Sequence, residues 1–168
     1  MAGPPRSRPG RGDRLAPLKT HVITRELPLP PAEAYAWLTD YGSEDRALLG
    51  TGTAREAKRL DEGRWELRDS LKRDDWESEL RGVVELQPPD RWRYAGRLFV
   101  FGEEMGAYEA RYRLEPAGSG SKIVVELEVA AQGEVAQEFI EMNEQKMWAR
   151  FERIYDRIVS AMKSRDAE

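Results

Sequence analysis

Residues 121–163, SKIVVELEVAAQGEVAQEFIEMNEQKMWARFERIYDRIVSAMK, change their hydrophobic period once, and the change decides the fold. Up to Ala131 the apolar side chains alternate, with Ile123, Val125, Leu127 and Val129 on one face, as a strand half in and half out of a core requires. After Gly133 they recur at helical spacing from about Val135 to Lys163, placing Ile140, Met147, Phe151, Ile154, Tyr155, Ile158 and Met162 on one stripe. At ~1.5 Å per residue that helix spans roughly 40 Å, longer than any strand the sequence predicts. To bury its stripe it must lie across the concave face of a curved sheet.

Upstream, the period of two holds back to Gly50, and six strands fill the span to Gln132. Trp65, Leu67 and Leu71 share one face, then Trp76, Leu80, Val84 and Leu86, then Trp92, Tyr94 and Leu98, then Tyr108, Tyr112 and Leu114, while the opposite faces are mostly charged. Pro88-Pro89-Asp90, the FGEE of residues 101–104 and the PAGSG of residues 116–120 mark turns between them. Such short connections cannot hold a crossover helix, so the strands form an antiparallel meander with one wet face, which excludes a doubly wound nucleotide fold. Before Gly50, SEDRALL (43–49) reads as a short helical turn, and PAEAYAWLTD (31–40) as a short helix with Pro31 in its first turn and Ala34, Trp37, Leu38 and Tyr41 on one face. LKTHVITRELPL (18–29) is a first strand stopped by Pro30-Pro31. The expected architecture is α+β: a seven-stranded curved antiparallel sheet gripping a long C-terminal helix, with two short helices between strands 1 and 2.

The chain of 168 residues suits one domain, expected over residues 18–163, with a flexible C-terminus at 164–168. Residues 1–17 hold four Arg, four Pro and three Gly against Asp13, too polar to offset ordering entropy, and are expected to form a disordered arm. That arm carries +3 of a total of −4, leaving −7 on residues 18–168, so the body repels polyanions and a nucleic-acid partner is disfavoured. There is no Cys and one His, which removes thiolate nucleophiles, disulfides, Cys/His zinc sites and iron–sulfur clusters, and no metal or cofactor is expected. No apolar run reaches the ~18 residues of a membrane span, and the expectation is a cytoplasmic protein.

Trp65, Trp76, Trp92, Tyr94, Tyr108 and Tyr112 fall on inward faces, where they either fill the core or line a ligand cavity. Asp69 falls on the Trp65–Leu71 face, and a buried carboxylate must be paired or protonated. It is thus a candidate general acid or ligand anchor, with a bulge or an arginine ion pair as the alternative. On the long helix Glu144 lies four residues after Ile140 and three before Met147, with Asn143 at the stripe's edge, so a carboxylate and an amide would face the cavity. Glu103 and Glu104 are adjacent loop acids expected to point into water. His21 is expected to be a solvent-facing strand residue. Arg64, Arg68, Arg81, Arg91, Arg93 and Arg97 alternate with acids such as Glu66, Glu77, Glu79 and Glu85, as cross-strand ion pairs on a wet face would.

VITRELPLPPAEAYAWLTDY (22–41) resembles the first strand, Pro-rich turn and first helix of the START-like (SRPBCC) superfamily, and RYRLEPAGSGSKIVVELEV (111–129) resembles its penultimate hairpin. The chain is most similar to the polyketide cyclase/dehydrase and lipid-transport group, over residues 18–163. The resemblance implies the helix-grip fold and an apolar cavity between sheet and long helix. That group has no invariant catalytic motif, so it assigns no catalytic residue here, and the cysteines and histidines of the Rieske oxygenase branch are absent. The function it implies is binding or carrying of a hydrophobic or amphipathic small molecule, lipid or polyketide-like. The expected contacts are Trp65, Asp69, Trp92, Tyr94, Tyr108, Tyr112, Asn143, Glu144 and Met147. The alternatives are a cyclase or dehydratase using a buried carboxylate, Glu144 or Asp69, and a chaperone-activator-like domain that binds a protein partner.

Overall fold

Each turn signal between Gly63 and Gly120 closes an antiparallel hairpin. The computed structural model describes residues 18–41, 53–73 and 75–166. Its elements are β1 (Lys19–Leu27), α1 (Pro31–Leu38), β2 (Thr53–Asp61), β3 (Arg64–Arg73), β4 (Trp76–Gln87), β5 (Arg91–Val100), β6 (Glu103–Ala117), β7 (Gly120–Ala131) and α2 (Glu134–Asp166). The sheet order β1-β7-β6-β5-β4-β3-β2 is a meander from β2 to β7 with β1 added beyond β7. This is the seven-stranded curved antiparallel sheet with a long C-terminal helix that the periodicity predicts. The expected arm at 1–17 and the second short helix at 43–49 lie outside the described residues, and α2 continues past Lys163 to Asp166.

Local chemistry sets the junctions. Pro30 is extended (φ −64°, ψ 162°) and Pro31 opens α1, where its missing N–H costs nothing and the Ala34 N–H reaches the Pro30 carbonyl at 2.9 Å. Gly133 takes a φ of 91°, a left-handed conformation that turns the chain from β7 into α2. Gly82 and Gly96 face each other across β4 and β5, and a Cβ on either would stand only 2.2 or 1.9 Å from a carbonyl oxygen of the opposite strand. Two bare backbones in register let the strands close together at the middle of the sheet.

Leu67, Val84, Trp92, Tyr94, Tyr108, Leu114 and, on β7, Ile123, Val125, Leu127 and Val129 are buried on the concave side. The convex side is the expected lattice of ion pairs: Arg93 bridges Glu85 and Glu109, and Arg111 reaches Glu109, Glu126 and Glu128. Exposed pairs of this sort contribute ~0–1 kcal/mol each, so the convex side supplies solubility and register more than stability.

Two expectations on α2 and β1 need correction. Of the expected stripe on the helix, Ile140, Tyr155 and Met162 are buried, whereas Met147, Phe151, Ile154 and Ile158 are half-buried, and Ala136 and Trp148 complete the buried line. His21 is not solvent-facing: its ring stacks on Trp148 (5.1 Å, 9°) and its Nε2 lies 2.7 Å from Glu152 Oε2. Both differences have one cause. The helix rests toward the β1 edge of the sheet, which rotates its buried line toward Trp148 and covers the inward-facing residues of β1.

Candidate functional site: a cavity between sheet and helix

Along one flank α2 is tied to β1. Lys19 Nζ lies 3.5 Å from Glu141 and 3.6 Å from Glu144, and Arg25 donates to Asp156 at 2.8 Å and to Glu152 at 2.5 Å. The other flank stands off from β2 to β5 and leaves a cavity of about 180 Å³, partly open to solvent. Leu71, Leu80, Leu98, Val100 and Val129 supply the apolar sheet wall, and Ile140, Met147, Phe151 and Ile154 the helix wall.

Four tyrosines, Tyr94, Tyr108, Tyr112 and Tyr155, complete the interior. Tyr108 stacks on Phe151 (5.6 Å, 9°) and meets Tyr94 edge-on (5.7 Å, 78°). Burial pushes all four phenols above their ordinary value, helped at Tyr94 by the charge of Asp69; Tyr155 is pushed up to about 12. At neutral pH they are therefore ring surfaces with neutral O–H donors, and not bases.

Asp69 lies in the wall as its alternation predicts, and the ion-pair alternative holds. Its register partner Arg55 donates Nε to Oδ1 at 2.6 Å and Nη2 to Oδ2 at 2.9 Å, so both carboxyl oxygens are occupied as acceptors. Burial would lower the Arg55 pKa, and the hydrogen bonds and charge of Asp69 more than reverse it.

Tyr94, Tyr108, Tyr112, Asn143 and Met147 are also in the wall, although the Asn143 amide donates to the Phe139 carbonyl one turn back at 2.8 Å. Trp65, Trp92 and Glu144 do not border the cavity and pack elsewhere. Trp92 packs edge-on to Tyr35 of α1 (5.6 Å, 81°) and against Tyr112 (4.8 Å), and Trp65 packs against Tyr41 (6.2 Å). Both fill the end of the sheet near α1: alternation fixes which face a ring takes, but not how far along the strand the cavity extends. Glu144 does turn toward the sheet as its phase requires, yet there it meets β1, accepting from Trp148 Nε1 at 3.1 Å beside Lys19. Glu104 pairs with Arg97, and neither it nor Glu103 reaches the cavity.

Sequence reasoning passed over Arg55, because β2 (TAREAKRLD) lacks the apolar alternation that marks an inward face. It also passed over the cationic side of the cavity, formed by Arg73, Arg150, Arg153 and Arg157. The signal for the last three was present: at i, i+3 and i+7 they follow one helix face beside the apolar stripe.

The fold is shared with solved structures of low identity. The aromatase/cyclase Zhui from Streptomyces sp. R1128 superposes with a TM-score of 0.65 at 12% identity, covering 89% of this chain and 96% of that one. The di-domain ARO/CYC StfQ from the steffimycin biosynthetic pathway gives 0.70 at 10% identity, covering 95% of this chain and 55% of that one. TTHA0849 from Thermus thermophilus gives 0.67 at 17% identity, with 87% and 98% covered. A comparison with curated proteins finds no match. The family model described as polyketide cyclase / dehydrase and lipid transport matches residues 20–165, reaching into every strand and both helices described above, and the chain belongs to that family.

Proposed function

We propose that the protein binds one hydrophobic or amphipathic small molecule in the cavity between sheet and α2, as a carrier or sensor. The observation that carries this reading is the wall itself: stacked aromatic rings and aliphatic side chains around about 180 Å³, with its tyrosine hydroxyls held neutral and its carboxylates engaged, Asp69 at both oxygens by Arg55 and Glu79 by Arg68 and Arg81. A dry cavity of ~150 Å³ already accommodates a benzene ring, and the open side here gives a longer molecule room to extend. Few convergent polar groups in an apolar hollow is the usual composition of a small-molecule site.

A cyclase or dehydratase is the second reading, favoured by one observation: the Arg55–Asp69 pair shares the wall with four tyrosine hydroxyls, donors able to polarise a carbonyl. Against it stands the same Asp69 geometry, which leaves no carboxyl oxygen unengaged to take a proton.

N-phenyl-1-naphthylamine, uncharged and fluorescent only out of water, tests the first reading. It should bind saturably at one site per chain with affinity on the order of micromolar. Leu98→Trp, which places an indole in the cavity, should abolish the signal while the far-UV spectrum is kept. Unsaturable binding to the folded wild type would remove the proposal.

A further inference from the structure

Among the described residues two groups of arginines stand in contrast. On the convex side Arg68, Arg81, Arg93, Arg97, Arg111 and Arg113 each sit in an ion pair with a glutamate. At the cavity, among the described residues, Arg73, Arg150 and Arg153 form no ion pair. Arg73 ends β3, Arg150 and Arg153 lie a helical turn apart on α2, and all three border the same hollow. Arg73 and Arg153 are exposed while lining it, so they stand where the cavity meets solvent. Arg150 is half-buried and held in place, its guanidinium 4.4 Å from the centre of the Trp76 ring, which itself stacks on Phe139 (5.8 Å, 13°).

Nothing in the described wall neutralises these charges. Its two carboxylates are already engaged, Asp69 by Arg55 and Glu79 by Arg68 and Arg81. Burial, and then repulsion from Arg153 and Arg73, lowers the Arg150 pKa from its ordinary value, and Asp75 offsets only part of this. Gathering like charges in a protein whose residues 18–168 carry a formal −7 costs stability unless an anion completes the site. The acidic body disfavours a polyanion, and the apolar wall directly behind the arginines disfavours a bare inorganic ion.

We infer that the ligand is an anionic amphiphile, bound as a single free molecule with its apolar body against Tyr108 and Phe151 and its carboxylate, sulfate or phosphate end at Arg73, Arg150 and Arg153. This rests on the ligand-binding reading above and adds the ligand's charge and orientation. Guanidinium groups suit such a head because they present paired N–H donors to oxyanions and are more weakly hydrated than ammonium.

The test compares N-phenyl-1-naphthylamine with 1-anilinonaphthalene-8-sulfonate, which shares its skeleton and adds one sulfonate. The sulfonate should bind about tenfold tighter or more, displace the neutral probe, and weaken as salt is raised from about 50 to about 500 mM. Arg150→Gln with Arg153→Gln should bring the two affinities together, and the corresponding Lys variants should restore most of the difference. Equal affinities in the wild type, or a ratio that survives the double Gln variant, overturns the anionic assignment while leaving the cavity reading intact; failure of both probes to saturate overturns the cavity reading itself. Sedimentation with phosphatidylglycerol vesicles that depends on Arg150 and Arg153, without displacement of the neutral probe, would overturn the free-molecule assignment in favour of a membrane surface.

Discussion

Arg55 and Asp69 face each other in register across β2 and β3, each about four-fifths buried at its side chain, so each is the other's main compensation. Removing one partner of such a pair leaves a poorly solvated charge, a loss of ~3–5 kcal/mol when burial is complete and less here. Asp69→Asn should therefore destabilise by about 1–3 kcal/mol in urea at pH 7, and Arg55→Met with Asp69→Leu should recover most of that loss. A single variant as stable as wild type, or a double variant as unstable as the single, would show the pair to be incidental. Asp69 also marks what was legible residue by residue. Its inward direction follows from the parity of β3 alone, whereas its partner lies on β2, a strand too polar for its inward face to be recognised.

The element that shapes the site is α2, and its contact with β1 decides where the cavity opens. Trp148 lies under that contact, 7% exposed and stacked on His21, while Phe151 is half-buried and faces space that is already empty. Trp148→Ala should accordingly cost ~3–5 kcal/mol and Phe151→Ala less, because a truncation beside an existing hollow forfeits fewer contacts. Equal losses in chemical denaturation would place the helix differently from this description. The same contact has a pH dependence. Burial would raise the Glu152 pKa, but hydrogen bonds from His21 and Arg25 bring it below the ordinary carboxylate value. A carboxylate depressed in the folded state stabilises above its unfolded pKa, ~4.3, and that stabilisation is lost as pH falls through the lower folded value. Glu152 faces His21 and Arg25 of β1, with Asp156 sharing Arg25. Urea midpoints measured from pH 7 to pH 3 should fall more steeply in the wild type than in Glu152→Gln; parallel curves would assign the acid loss to other depressed carboxylates such as Glu79 and Glu109.

At the scale of the whole molecule the convex side and the cavity divide the labour of charge. Paired charges cover the outside, while among the described residues Arg73, Arg150 and Arg153 border the cavity without an ion pair. A ligand that binds the folded cavity and not the unfolded chain stabilises the fold by linkage, ~2.7 kcal/mol at a hundred times its Kd. Saturating N-phenyl-1-naphthylamine should thus raise the Tm of the wild type and leave Leu98→Trp unchanged. Equal shifts in both would put the probe on the surface. Among the described residues no helix is long and apolar enough to cross a membrane.

Seven strands, their antiparallel order, the inward faces of the strands that alternate and the approximate length of α2 were determined by the sequence itself, because each follows from a local period of two or 3.6 and from turn residues whose backbone preferences act over a few positions. The placement of the helix across the sheet was decided only by tertiary structure. Sliding α2 toward β1 keeps every period intact, yet it moves Glu144 from a cavity to Lys19, buries Trp148, covers His21, and opens the space bounded by Tyr108, Arg55 and Arg150. Periodicity specifies the direction in which a side chain leaves its own element. What it meets there depends on how two elements translate and rotate against each other, a choice made by the sum of contacts such as Arg25 with Glu152 and Trp148 with His21 between residues more than a hundred positions apart.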